Sequence, residues 1–119
     1  RRGDKRPAVR EWAAARGGGS RALVDADRLA GPPAVRAGRA GDRFQPLGMD
    51  GSRKIKAYLT DRKVSPAEKA HVPVCSDGKA IVWVVGHQSD HRYRIRGSTR
   101  EAVILWTPDA AGKGEDIAG

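Results

Sequence analysis

The sequence predicts a small α+β domain of short strands around one or two helices, and three observations predict it. First, Ile55, Tyr58, Leu59 and Arg62 recur at helical spacing on one face of residues 52–63. Second, the apolar runs 72–75 and 80–85 flank Ser76-Asp77-Gly78-Lys79, whose Asp-Gly pair is a strong hairpin signal. Third, His91-Arg92-Tyr93-Arg94-Ile95-Arg96 alternates with the period of two that marks a strand.

Residues 1–20 mix arginines with Gly17-Gly18-Gly19-Ser20 and carry no sustained apolar period, so they read as a linker or the end of a preceding domain. The domain proper is expected over 21–107, followed by a flexible tail, 108–119. Ala22-Leu23-Val24 reads as a short strand, residues 25–29 as a turn or helical turn, and Ala34-Val35-Arg36 as a second strand after the break at Gly31-Pro32-Pro33. The 52–63 helix is expected to be capped by the Ser52 hydroxyl, with Arg53, Lys56, Thr60 and Lys63 forming a basic ridge opposite its apolar face. Ser65-Pro66-Ala67-Glu68 has the form of a capping box with proline at the first helical position, and Pro73 ends that helix within a turn or two. Residues 80–85 are apolar on both faces and read as a central strand. Residues 102–106 close the domain as another buried strand. Trp83, Trp106, Phe44 and Met49 are assigned to the core.

Lys and Arg outnumber Asp and Glu 23 to 14, a net charge of +9. That balance concerns partners more than fold, and a polyanion is the natural partner. The excess lies along the body, whereas the stretch from Thr107 onward holds Lys113 against Asp109, Glu115 and Asp116. No stretch approaches the roughly 20 apolar residues of a membrane span, and no apolar run follows the basic N-terminus as in a signal peptide. No membrane partner is therefore expected. Cys75 is the single cysteine, which excludes an internal disulfide and fits a reducing cytoplasm. His71, His87 and His91 with Asp90 match no common zinc spacing, so no metal site is expected. The chain opens on Arg1 and its one methionine is Met49, so it reads as a piece of a longer reading frame.

Gly41-Asp42-Arg43-Phe44-Gln45-Pro46-Leu47-Gly48-Met49 resembles the signature segment of the C-terminal domain of the tRNA(Ile)-lysidine synthetase family. The likeness continues through Gly51-Ser52-Arg53-Lys54-Ile55-Lys56, Leu59-Thr60-Asp61-Arg62-Lys63-Val64, Val72-Pro73-Val74 and Ile81-Val82-Trp83-Val84-Val85-Gly86-His87. Upstream, residues 23–27 and 34–36 match the lead-in. Two departures are local: Arg39-Ala40 stands where the family has an arginine pair and proline, and Ser65 precedes Pro66 where the family has proline directly. The resemblance implies an α+β sandwich-like fold, also found in a domain of phenylalanyl-tRNA synthetase. It further implies a part of a ligase that uses ATP and lysine to convert the wobble cytidine of an isoleucine tRNA into lysidine. The family's phosphate loop is not in this sequence, so neither catalytic residues nor a cofactor are expected in this portion, and ATP belongs to the full-length enzyme. The partners implied are tRNA(Ile) and the N-terminal catalytic domain.

On that reading Arg53, Lys54, Lys56, Lys63, Arg92 and Arg94 would contact RNA backbone, with Arg43 and His87 shaping the contact surface. Asp42 and Arg43, between glycines and Pro46, read as a tightly structured loop rather than an acid and its partner. The rival reading is a structural or dimerisation module, a homodimer included, that braces the catalytic domain without touching RNA. Convergence of the positive residues on one concave face separates the two.

Overall fold

The sequence places its strands far apart in the chain, and their order in the fold follows from which apolar faces they must cover. The computed structural model describes residues 8–13 and 20–107. Three sheets result. The first has the order β1-β8-β2, where β1 is Ala8–Ala13, β2 is Arg21–Asp25 and β8 is Glu101–Trp106. The second has the order β3-β6-β7, with β3 Ala34–Ala37, β6 Pro73–Ser76 and β7 Ile81–Val84. The third is a ribbon of β4, Arg43–Phe44, and β5, Arg53–Lys54. Helix α1, Ile55–Asp61, follows β5 directly, and α2 is the single turn Pro66–Lys69. Residues 26–28 and 91–93 form 3-10 turns.

The sheets stack around two cores. In β6 and β7 the register pairs Val74 with Val84 and Cys75 with Trp83, so neighbouring residues face opposite sides. Cys75, Trp83 and Val82 join Val24, Val103 and Leu105 of the first sheet in one cluster. Val74, Ile81 and Val84 join Phe44, Ile55, Tyr58 and Leu59 in the other. The second sheet is thus the middle layer, with a sheet on one side and α1 plus the ribbon on the other. This is the expected α+β sandwich. Each large apolar side chain so buried stabilises the fold by roughly 1.5–3 kcal/mol. Among the described residues no helix is long and apolar enough to cross a membrane.

Several sequence expectations need correction. Run 80–85 is apolar on both faces because it touches both cores, not because it is central: β7 is an edge strand of its sheet. Its outer edge is closed by the returning loop, where Val84 N–H donates to the Gln88 carbonyl (3.0 Å) and Asp90 N–H to that of Val82 (2.7 Å). The first helix begins at Ile55 rather than Ser52, because Arg53 and Lys54 pair with Phe44 and Arg43 as a ribbon. The Ser52 hydroxyl caps nothing and instead accepts from Arg43 Nε (3.0 Å). Residues 91–96 are not a strand, since Asp90 caps a 3-10 turn there by accepting from Arg92 N–H (2.8 Å). Their alternation therefore never becomes a face. Within the segment read as linker, Ala8–Ala13 is a strand that pairs in parallel with β8. The expected flexible tail, 108–119, lies outside the described residues. Phe44 and Trp83 are fully buried as expected, Trp106 is half-buried, and Met49 is exposed on a turn.

The serine cap and N-terminal proline of the second helix form as read. Ser65 Oγ accepts from Glu68 N–H (3.2 Å), and Pro66 occupies the first helical position. Replacing Ser65 with Ala removes that acceptor from a four-residue helix, and the expected cost is about 1 kcal/mol in urea denaturation. A loss near zero would show the turn to be held by its neighbours alone.

Candidate nucleic-acid interface

The site is built on the segment that joins β3 to the ribbon. Gly41 turns the chain at φ +88°, a conformation that side chains rarely adopt. Asp42 then folds back: its Oδ2 accepts from Arg39 N–H (2.7 Å), and its two oxygens take Nη2 and Nη1 of Arg36 at 3.0 and 3.1 Å. The forked pair is a strong, geometrically exact contact. The Arg36 guanidinium, helped by the Arg39 N–H against the pull of burial, holds the Asp42 carboxyl below its ordinary range. The Asp42 carbonyl in turn accepts from Ile55 N–H (2.9 Å), which fixes where α1 starts. The structured loop read from the sequence is thus present, with Asp42 as its organiser. Arg43 is tied to Ser52 rather than to a carboxylate.

The ribbon register sets Arg43 directly opposite Lys54, while Phe44 on the other face is buried. Two like charges so placed repel unless an anion lies over them. Beside them opens a cleft of about 440 Å³ lined by Arg36, Arg39, Arg43 and Lys79. A narrower cleft of about 120 Å³ on the other side of the same loop is lined by Arg39, Lys56 and Lys69. Among the described residues Asp42 is the one carboxylate lining either cleft, and Arg36 occupies it. Among the described residues no carboxylate pairs with Arg39, Arg43, Lys54, Lys56, Lys69 or Lys79, so the field over this surface is positive.

Of the eight residues singled out from sequence, the structure sets Arg43 opposite Lys54 on the ribbon and places Lys56 in the narrower cleft on the other side of the loop. Arg53 points elsewhere and pairs with Asp61 at 2.6 Å. Arg92 is committed to the fully buried Asp90 through Nη2 (2.7 Å) and Nε (2.9 Å), and Arg94 Nη1 donates to the His91 carbonyl (2.9 Å). Lys63 lies past the end of α1 in a left-handed conformation, φ 66°. The ridge Arg53, Lys56, Thr60, Lys63 is therefore not a single stripe. Thr60 Oγ1 accepts from Lys69 Nζ (2.7 Å), which brings a second lysine to the Lys56 side. Sequence reasoning missed Arg36, Arg39, Lys69 and Lys79. The signal available was modest: Arg36 and Arg39 bracket Gly38 immediately before Gly41-Asp42, and Lys79 sits in the Asp-Gly turn.

His87 sits on the far side of α1. Its Nδ1 accepts from Arg62 Nε (3.1 Å), and Arg62 in turn lies 5.3 Å over the Tyr58 ring. Burial first, and the Arg62 charge second, lower the His87 pKa below 6.5. The sign follows directly: the folded state binds fewer protons, so this contribution to stability is intact above about pH 6.5 and is lost as pH falls through the lowered value. A urea midpoint that drops between about pH 7 and 5, and drops less in His87→Gln, is the expected result. An identical slope in the variant would remove His87 as a source.

The family model described as the TilS substrate C-terminal domain matches residues 34–106. The tRNA(Ile)-lysidine synthase of Symbiobacterium thermophilum is 45% identical over 92 residues, covering 75% of this chain and 19% of that protein. That of Parabacteroides distasonis is 42% identical over 84 residues, covering 71% and 19%. The chain therefore spans about a fifth of the length of these curated relatives. Among solved structures, the crystal structure of a TilS C-terminal domain aligns at TM-score 0.60 and 25% identity over 80% of this chain and 75% of that one. An N-terminal fragment of the phenylalanyl-tRNA synthetase beta-subunit from Pyrococcus horikoshii aligns at TM-score 0.63 over 75% of this chain and 28% of that one. At 16% identity it shares the fold alone.

Proposed function

Because the chain belongs to the TilS substrate C-terminal domain family, we propose that it is the tRNA-holding portion of a tRNA(Ile)-lysidine synthase. The observation that carries this reading is the surface of Arg39, Arg43, Lys54, Lys56, Lys69 and Lys79 gathered round one loop, with its single carboxylate already taken. Cations lining two adjoining clefts match the phosphates of an RNA helix, which is recognised by shape and backbone more than by base edges. The role is positional: the domain grips the tRNA body so that the wobble cytidine reaches an ATP-using catalytic domain elsewhere in the cytoplasmic enzyme. Asp42 acts by orienting Arg36 and the Arg39 backbone, and the Arg43–Lys54 repulsion makes an anion welcome between them.

A single pair of variants tests this. Lys54→Ala removes a cation that is unpaired among the described residues and is expected to weaken binding of an isoleucine tRNA transcript about five-fold, with the salt slope falling by about one. Arg53→Ala, one residue away but already paired to Asp61, is expected to change either quantity little. Equal effects of the two would contradict the proposed surface. The rival reading, a brace for the catalytic domain, is favoured by Leu47 and Met49, 43% and 40% exposed on one turn. The turn is pinned by donation of Leu47 N–H to Gln88 Oε1 (3.2 Å) and of Gly48 N–H to His91 Nδ1 (3.0 Å). A folded chain that binds no tRNA even at low salt would hand the role to that turn.

A further inference from the structure

A third concavity adjoins the basic surface and has no part in the reading above. It is a cleft of about 310 Å³ lined by Val35, Arg36, Ala37 and Gly38 on one wall and by residues 70–73 on the other. The sequence opens it. The β3–β6 ladder ends at the pair Ala37–Pro73, because proline has no N–H to continue it. Arg36 Nη1 donates to the Ala37 carbonyl instead (2.9 Å). One step further Gly38 faces the Val72 carbonyl so closely that a Cβ would lie 3.3 Å from it, which keeps that wall bare.

The cleft is continuous with both basic clefts. Arg36 lines it and the wider one, whereas Gly38, Ala70 and Val72 line it and the narrower one. Its volume lies at the small end of ligand sites, enough for one compact group. Its lining is mixed: Val35, Val72 and Pro73 are apolar, and the exposed His71 imidazole and the Arg36 guanidinium supply flat surfaces. Flat, apolar and edged by cations is the chemistry that receives an unstacked nucleobase while its phosphate stays outside. Resting on the proposed tRNA-holding role, we infer that this cleft takes one base from a single-stranded end or bulge next to the RNA helix held by the basic surface. His71 stacks on the base, and Val35, Val72 and Pro73 form the apolar wall. The domain thereby distinguishes an RNA stem with an unpaired extension from a blunt one, which the cation cluster alone cannot do.

The test compares three RNA stem-loops binding to the full chain: one blunt, one with a short 3′ single-stranded extension, and one whose extension has sugars and phosphates but no bases. The expected result is about ten-fold tighter binding of the base-bearing extension than of the blunt stem, and little gain from the abasic one. Ala37→Phe fills the cleft from an exposed strand position and is expected to abolish the gain while leaving blunt-stem affinity unchanged. His71→Ala, also exposed, is expected to reduce the gain with no change in melting temperature. An equal gain from the abasic extension would assign the effect to extra phosphates and overturn the inference. A gain that survives Ala37→Phe would also overturn it, as would no gain at all. If Ala37→Phe spares RNA binding but breaks attachment to the catalytic portion, the cleft is a protein-docking site instead. A blunt stem that binds with steep salt dependence keeps the tRNA-holding role alive whichever way the extension behaves.

Discussion

Asp77→Ala is expected to cost roughly 3–5 kcal/mol, a large loss for one side chain because it ties together three segments of the fold. Asp77 is only 3% exposed and accepts four hydrogen bonds. Oδ1 takes the N–H groups of Lys79 and Ala80, each at 2.9 Å, and so closes the β6–β7 turn. Oδ2 takes Ala30 N–H and the Tyr93 hydroxyl, also at 2.9 Å, from segments 47 and 16 residues away. Truncation leaves all four donors without their acceptor, the Tyr93 hydroxyl among them in a buried contact. A domain of this size holds about 5–15 kcal/mol in total, so the variant should lie close to its unfolding threshold at ambient temperature. A loss under about 1 kcal/mol in urea denaturation would mean that the three segments are positioned by packing. Acid sensitivity provides a second readout. Burial pushes the Asp77 carboxyl up, but the backbone donors of Ala30, Ala80 and Lys79, with the Tyr93 hydroxyl, outweigh it and leave the pKa below 3.8. The contribution is therefore complete above about pH 4 and is lost as pH falls through the lowered value, so the variant should show a flatter acid limb. Tyr93, pushed up to about 12 by burial and by its bond to Asp77, stays a donor throughout.

The triple variant Arg39→Ala, Arg43→Ala, Lys54→Ala should lose about 100-fold in affinity for an isoleucine tRNA transcript near physiological salt, with the log–log salt slope reduced by about three. These three residues define the middle of the basic surface, and none is buried or ion-paired among the described residues. Folding should therefore survive their removal, as a melting curve can check. Affinity that falls while the slope stays fixed would point to lost shape rather than lost phosphate contacts. No change in either would remove this face from RNA recognition. The matching set Arg53, Arg92, Arg94 carries the same charge but is engaged with Asp61, Asp90 and the His91 carbonyl. Neutralising Arg53 and Arg94 of that set, with Arg92 kept to hold the buried Asp90, is expected to weaken binding far less than the first.

Much of the architecture was legible because its signals are local. The Ile55, Tyr58, Leu59 spacing, the Ser65-Pro66 cap, the Asp77-Gly78 turn and the apolar run 102–106 each declare an element within a few residues, and each element is present. What failed depended on partners distant in sequence. Arg53 and Lys54 look helical until Arg43 and Phe44 offer a ladder. The alternation at 91–96 looks like a strand until the buried Asp90 captures Arg92 and curls the chain. Ala8–Ala13 has too weak a pattern to declare itself, and its pairing partner lies more than ninety residues downstream. The site was half legible for the same reason. Charge type named Arg43, Lys54 and Lys56, but only the return of the 36–42 loop and the 76–80 turn to one place brings Arg36, Arg39 and Lys79 beside them. Pairing that removes a cation from a surface is likewise a property of the fold: nothing in the order of residues sets Arg53 against Asp61 and leaves Lys54 without a carboxylate among the described residues.

The position of β8 between β1 and β2 also sets a timetable for synthesis. Chains leave the ribosome N-terminus first, so β1 and β2 emerge as two strands whose common neighbour, residues 101–106, has not yet been made. The cluster around Phe44, Tyr58 and Val84 draws only on residues 44–84, and can assemble while the first sheet is still waiting. A nascent chain halted before Glu101 should therefore protect the α1 side from protease while leaving residues 8–25 open to cleavage. Among the described strands β8 is translated last, and its arrival between β1 and β2 closes the first sheet.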